Sequence, residues 1–173
     1  MSQQIVAAGG PGGALVAAAG GKAAASIETH EYVSIIIAGQ LFGIPVLQVQ
    51  DVLGPQRITR IPLAPPEVAG SLTLRGRIVT AIDLRTRLGL PKRAAGEKSM
   101  SVVVDQDGEA YSLLVDNVGE VLSLSAKTFE RNPATLDIAW REVSDGIHRL
   151  DGNLLIILDV ARLLDISSKA DAA

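Results

Sequence analysis

Few residues in this chain have the types or spacing that chemistry needs. There are two histidines, His30 and His148, and no cysteine. Zinc sites are built from Cys and His at short fixed spacings, and neither an HxxxH nor an HxH pair occurs. A disulfide framework, a thiolate metal site and a cysteine nucleophile are excluded. His30 borders the N-terminal stretch and His148 has Arg149 and Asp151 nearby, so both read as solvated or edge histidines. Asp83 and Asp159 invite comparison with a carboxylate pair for acid–base work. Each precedes a short apolar run at an equivalent place, which is the position of a helix N-cap. No G-x-S-x-G elbow is present to expose a serine. Gly21-Lys22 mimics the end of a phosphate loop, but Val16 stands where its first glycine belongs and Ala23 where Ser or Thr belongs. No base, nucleophile and orienting group come together, so no catalytic residue, metal ligand or cofactor site is predicted.

One residue stands out for recognition. Arg75 lies in Gly70-Ser71-Leu72-Thr73-Leu74-Arg75-Gly76, between an apolar residue and a turn glycine. A guanidinium presents five donors in a rigid fork, and Arg is enriched among interface hot spots. Asp51, in Val49-Gln50-Asp51-Val52-Leu53, is its natural acidic partner if the two segments are adjacent. Trp140, the single tryptophan, reads as a packing residue.

The elements that must position these groups are short strands. Tyr32–Ile37 is rich in β-branched residues, and Leu47–Leu53 alternates apolar and polar. Ile78–Ile82, Ser101–Val104, Ser112–Val115 and Asn153–Leu158 are further short apolar runs, most with Gly, Pro, Asp or Asn close by. This is the pattern of an all-β sandwich or barrel. Hydrophobic residues make up 47% of the 173 and aromatics only 3%, so the core must be aliphatic. The formal net charge of −3 argues against a nucleic-acid surface, which needs clustered positive charge.

The chain repeats itself. Gly39 to Leu53 aligns with Gly108 to Leu122, and Gly70, Leu74, Gly76, Ile82 and Asp83 map at one constant offset onto Gly146, Leu150, Gly152, Leu158 and Asp159. The second half carries extra residues around Thr135–Val143. Two matched blocks in the same order indicate a duplicated β unit. The expected organisation is a flexible Ala/Gly-rich tail over residues 1–28, an ordered region over 29–168 with its second subdomain starting near 98, and a flexible C-terminus over 169–173. Repeated glycines and Lys22 break the tail's apolar stretch, which therefore suits neither a signal peptide nor a membrane span.

A family resemblance accumulates along this order. Phe42-Gly43-Ile44, Val49-Gln50-Asp51-Val52, Ile58-Thr59-Arg60-Ile61-Pro62, Val68-Ala69-Gly70, Leu74-Arg75-Gly76 and Ile82-Asp83-Leu84-Arg85 resemble the successive signatures of CheW-like domains. Val115-Asp116-Asn117-Val118, Glu120-Val121-Leu122 and Leu155–Asp159 resemble those of the second half. The resemblance implies an all-β fold of two pseudo-symmetric, SH3-like, five-stranded β-barrels with short helical turns and a shared hydrophobic centre. It implies a free-standing, non-catalytic chemotaxis adaptor without a cofactor, in the cytoplasm at receptor arrays on the inner face of the membrane, with no nucleic-acid partner and no direct membrane insertion. The implied partners are chemoreceptor cytoplasmic tips and the regulatory domain of the histidine kinase CheA. Val49, Asp51, Gly70, Leu74, Arg75 and Gly76 are the positions that match the family's partner-binding motifs. Thr73 stands where Asn is usual, Asp51 where Glu is usual and Ser112 where Gly is common. The alternative is a small-molecule-binding β-barrel module; barrels this small are filled by their own side chains.

Overall fold

The computed structural model describes residues 28–94 and 96–166. The tail expected over residues 1–28 therefore lies outside the described residues except for Glu28, as does the C-terminal segment 169–173. Among the described residues eleven strands and three one-turn helices follow in order: β1 (Thr29–Ile37), β2 (Gln40–Pro45), β3 (Val49–Leu53), β4 (Val68–Leu74), β5 (Arg77–Asp83), α1 (Leu84–Arg87), β6 (Met100–Gln106), β7 (Glu109–Val115), β8 (Asn117–Ser125), β9 (Phe129–Glu130), α2 (Ile138–Arg141), β10 (Ser144–Leu150), β11 (Asn153–Leu158) and α3 (Val160–Leu163). The fold is mostly β, as the strand pattern implies. One sheet has the order β8-β1-β2-β11-β10-β9, the other β3-β6-β7-β5-β4.

These orders show that the repeats exchange their halves. β1 and β2 of the first repeat pair with β8 and β11 of the second, while β6 and β7 of the second pair with β3 and β5 of the first. The registers correspond residue by residue. Ile35↔Phe42 in one sheet matches Val104↔Tyr111 in the other, and Val33↔Val121 matches Val102↔Val52. The parallel pairs Ile156↔Phe42 and Thr80↔Tyr111 match as well. The sixth strand of the larger sheet, the two-residue β9, has as its counterpart the single bridge Thr59↔Ser71. The repeat boundary near residue 98 thus marks where the motif order starts again, not the edge of a sheet.

Turn chemistry explains the hairpins. Ala38-Gly39, Arg75-Gly76 and Asp107-Gly108 all have positive φ at both positions, the two-residue turn whose twist suits right-twisted strands. Asp83 accepts a hydrogen bond from the Arg85 N–H and Asp159 one from the Arg162 N–H, so both aspartates cap helices as their spacing predicts. The core is aliphatic and common to both sheets: Phe42, Ile44, Ile147 and Leu158 from one pack with Val102, Val104 and Leu113 from the other. Trp140 of α2 closes one end. Its indole N–H donates to the Leu88 carbonyl at 3.0 Å and its ring meets Phe42 edge-on at 5.4 Å.

Candidate docking site

The six residues singled out from the sequence fall into two groups. Asp51, Leu74, Arg75 and Gly76 surround the β4–β5 turn, where Leu74 pairs with Arg77 and the two residues between them form the loop. Arg75 takes φ +52° and Gly76 φ +80°. The Arg75 guanidinium donates to Asp51 Oδ2 at 2.8 Å, so the sequence-separated pair is adjacent in space. The partners differ in exposure: the Arg75 side chain is 77% exposed and that of Asp51 24%. Asp51 Oδ1 accepts the Val52 N–H at 2.9 Å, which fixes the carboxylate on its strand. The strand carries a bulge between Val49 and Asp51; Asp51, opposite Val103, is half-buried, and Val52 is partly exposed. Leu74 is half-buried and packs beside Leu72, Val79, Ala81 and Leu114. Ile78, on the adjoining strand, is exposed.

Val49 and Gly70 serve the scaffold more directly. Val49 packs against the shared core. Gly70 sits at a bulge with φ +150°, where a Cβ would run into the Thr59 carbonyl and sit 2.8 Å from Ile58 Cγ2. It holds the Ile58–Thr59 segment against β4, at the opposite end of that strand from Arg75.

Two features are not legible in the sequence. Asp116 accepts a forked pair of hydrogen bonds from Arg85, at 3.0 and 2.7 Å, together with Arg93 Nε at 3.0 Å and the Ala38 N–H at 2.8 Å. Arg93 also reaches Asp83. Burial opposes the Asp116 carboxylate, but the Arg85 and Ala38 hydrogen bonds and the charges of Arg93 and Arg85 prevail and hold its pKa below the usual value. This network spans both repeats and stabilises the scaffold. His148 is the second feature and corrects the expectation of a solvated or edge histidine: it is 1% exposed. Its ring lies between Tyr32 and Phe129, with centroids 5.6 and 5.5 Å away. Thr128 Oγ1, which donates to the Ser125 carbonyl, lies 3.0 Å from His148 Nδ1. Nε2 has no partner among the described residues. Burial, and secondarily the charge of His30, push the His148 pKa down. His30 is half-exposed and pairs with Glu28 at 3.0 Å. Among the described residues no group of three or more His, Asp or Glu side chains could hold a metal, and no helix is long and apolar enough to cross a membrane.

A pinned, outward Arg on a surface turn is a feature suited to protein recognition. A family model for the CheW-like domain matches residues 31–168. A chemotaxis protein CheW from Klebsiella aerogenes is 29% identical over 149 residues, spanning 86% of this chain and 90% of that protein. One from Bacillus subtilis is 27% identical over 149 residues, spanning 86% and 96%. The crystal structure of the scaffolding protein TtCheW from Thermoanaerobacter tengcongensis superposes with a TM-score of 0.72 at 30% identity, covering 81% of this chain and 95% of that one. Match and fold together place the chain in the CheW-like domain family, whose members are non-enzymatic chemotaxis adaptor and scaffold proteins.

Proposed function

We propose that this adaptor couples the cytoplasmic tips of chemoreceptors to the histidine kinase CheA on the inner face of the membrane, and that the β4–β5 turn is a principal docking point. The observation that carries this reading is the asymmetry of the Asp51–Arg75 pair. An ion pair whose cation is 77% exposed is weakened by water and contributes only about 0–1 kcal/mol to stability, so folding gives little reason to pin Arg75. A half-buried carboxylate that holds an exposed guanidinium limits the rotamers which binding must freeze. The remaining donors of that guanidinium are free for a partner's carboxylates or carbonyls. Val49 and Gly70 act in this reading by shaping β3 and β4, and Leu74 and Gly76 by setting the turn.

The test is titration of each variant against a receptor-tip fragment and against the CheA regulatory domain. Arg75→Ala is expected to retain the wild-type melting curve, since exposed substitutions change stability by less than about 0.5 kcal/mol. Its affinity for at least one partner is expected to fall about tenfold or more, a loss of about 1.4 kcal/mol upward. Asp51→Ala is expected to weaken binding less, and the double variant to be sub-additive. Wild-type affinity of folded Arg75→Ala for both partners would remove the turn from the interface.

A further inference from the structure

Neither sheet can be completed by one repeat alone. The first repeat supplies β1 and β2 to one sheet and β3, β4 and β5 to the other; the second supplies the remaining strands of both. Bonds that join the repeats are made by the folded elements themselves. Arg87 of α1, buried, donates to the carbonyls of Leu163 and Arg162 at 2.7 and 2.9 Å, closing the C-terminal end of α3. Arg85 grips Asp116, and Trp140 grips the Leu88 carbonyl.

The covalent connection, Gly89 to Ser99, contributes differently. Among its described residues the backbone N–H groups donate only to nearby residues, Gly89 to Thr86, Leu90 to Arg85, Ala94 to Glu97 Oε1 and Glu97 to Ala94. Neither sheet takes a strand from it, and it contains Gly89, Pro91 and Gly96. Its long-range anchors are side chains: Leu90, partly buried against the shared core, and Arg93, which bridges Asp83 and Asp116 and donates to the Leu114 carbonyl. Every long-range pairing that defines the sheets could therefore be made with the connection rerouted.

From this we infer that a second copy of this chain is a partner by repeat exchange: β1–β5 of one copy complete both sheets with β6–β11 of another, giving a closed, two-fold dimer. All registers and the Arg87, Arg85 and Trp140 contacts are kept, and only the path of the connection changes. This is exchange of an identical element between protomers, which introduces no new surface beyond the hinge. Because it requires the repeats to separate, it is set during folding and persists once formed.

The unmodified chain is to be denatured, refolded at high and at low concentration, and then brought to one common dilution for sedimentation. The expected result is a dimer after refolding at high concentration that survives the dilution, with monomer alone after refolding at low concentration. Monomer alone in both preparations would overturn the inference. Cross-linking identifies the kind of dimer. Glu31 of β1 and Ser123 of β8 are a register pair, both exposed, in a chain without cysteine. A Glu31→Cys chain refolded together with a Ser123→Cys chain should form a disulfide-linked pair in roughly tenfold excess over Glu31→Cys refolded with Glu97→Cys, since only the first pair meets in an exchanged sheet. Equal yields would show a face-to-face dimer and defeat the exchange.

Discussion

The β4–β5 turn and its repeat-mate, the β10–β11 turn, share their glycines but differ at the residue before the turn glycine, where Arg75 has φ +52° and Asp151 does not take positive φ. Gly76 and Gly152 both take φ near +80°, and Gly70 and Gly146 both sit at bulges with φ +150° and +156°. The side chains diverge. Asp51 and Arg75 correspond to Glu120 and Asp151, so two acidic residues replace the ion pair in the second repeat. Only the first turn can close a charge-assisted contact. The fold thus reproduces the bulge and a two-residue loop with its glycine, but neither the Asp51–Arg75 pair nor the left-handed conformation of Arg75, which separates the proposed docking function from what the scaffold requires.

The largest expected effect falls on what the two regions share. A Cβ at Gly146 would collide with the Glu130 carbonyl and the Phe129 ring, as one at Gly70 would with the Thr59 carbonyl. Strained φ of this kind costs on the order of 1–3 kcal/mol before any collision is counted. Gly70→Ala and Gly146→Ala are each expected to lower stability by roughly 3 kcal/mol in urea unfolding. A tolerated substitution at either site would show that the two bulges are alike in backbone only. Conversely, Asp151→Ala should leave partner affinity within about twofold of wild type, against the roughly tenfold loss expected for Arg75→Ala, because charge without a pinned partner makes no hot spot.

A second divergence concerns protons. His148 occupies the place of Leu72 in the other sheet, and both are buried. The folded pKa of His148 lies below the ordinary 6.5 because burial disfavours the cation. The unfolded chain therefore binds a proton that the native state refuses. Stability from this site is intact above about pH 6.5, declines as the pH falls below it, and levels off once the folded pKa is passed. The slope is at most about 1.4 kcal/mol per pH unit. Asp116 and Asp159, whose pKa values are lowered from 3.8, hold their contribution to lower pH and lose it only as the pH falls through their folded values. His148→Leu, copying Leu72, is expected to flatten the decline of the unfolding midpoint just below about pH 6.5 while leaving the more acidic loss in place. An unchanged pH profile would mean that the ring is hydrated in solution.

The sequence discloses what local chemistry controls. Strand alternation, Asp83 and Asp159 as caps, the turn glycines and the order of repeated motifs are legible because each depends on neighbours in the chain. The repeat exchange is not, since pairing β2 with β11 rather than β5 leaves no mark on either strand's period. His148 is misleading for the same reason. Its aromatic box is assembled from Tyr32, far off in the chain, and from Phe129. The Asp51–Arg75 pair can be anticipated only as a condition, that their strands be adjacent. The Asp116 network is hidden because its arginines lie at no periodic spacing from it.

The smallest expected effect lies at one pair of matched core positions. Gly43 pairs with Ile157 in one sheet, and Ser112 with Ala81 in the other. A Cβ on Gly43 would lie 3.1 Å from Ile157 Cδ1 and 3.3 Å from Tyr32 Cβ, so glycine there makes room for the larger neighbours. Across from the smaller Ala81 a side chain fits, but the serine hydroxyl is fully buried and has no hydrogen-bond partner among the described residues. An unsatisfied buried hydroxyl costs about 1–3 kcal/mol, and removing it recovers part of that while leaving a small void. Ser112→Ala is therefore expected to raise stability by about 1 kcal/mol, and Gly43→Ala, against Ile157, to lower it. Urea midpoints at constant slope measure both. Destabilisation by Ser112→Ala would mean that the hydroxyl is bonded in solution, and that the two sheets solve the same packing problem with polar contact in one and size alone in the other.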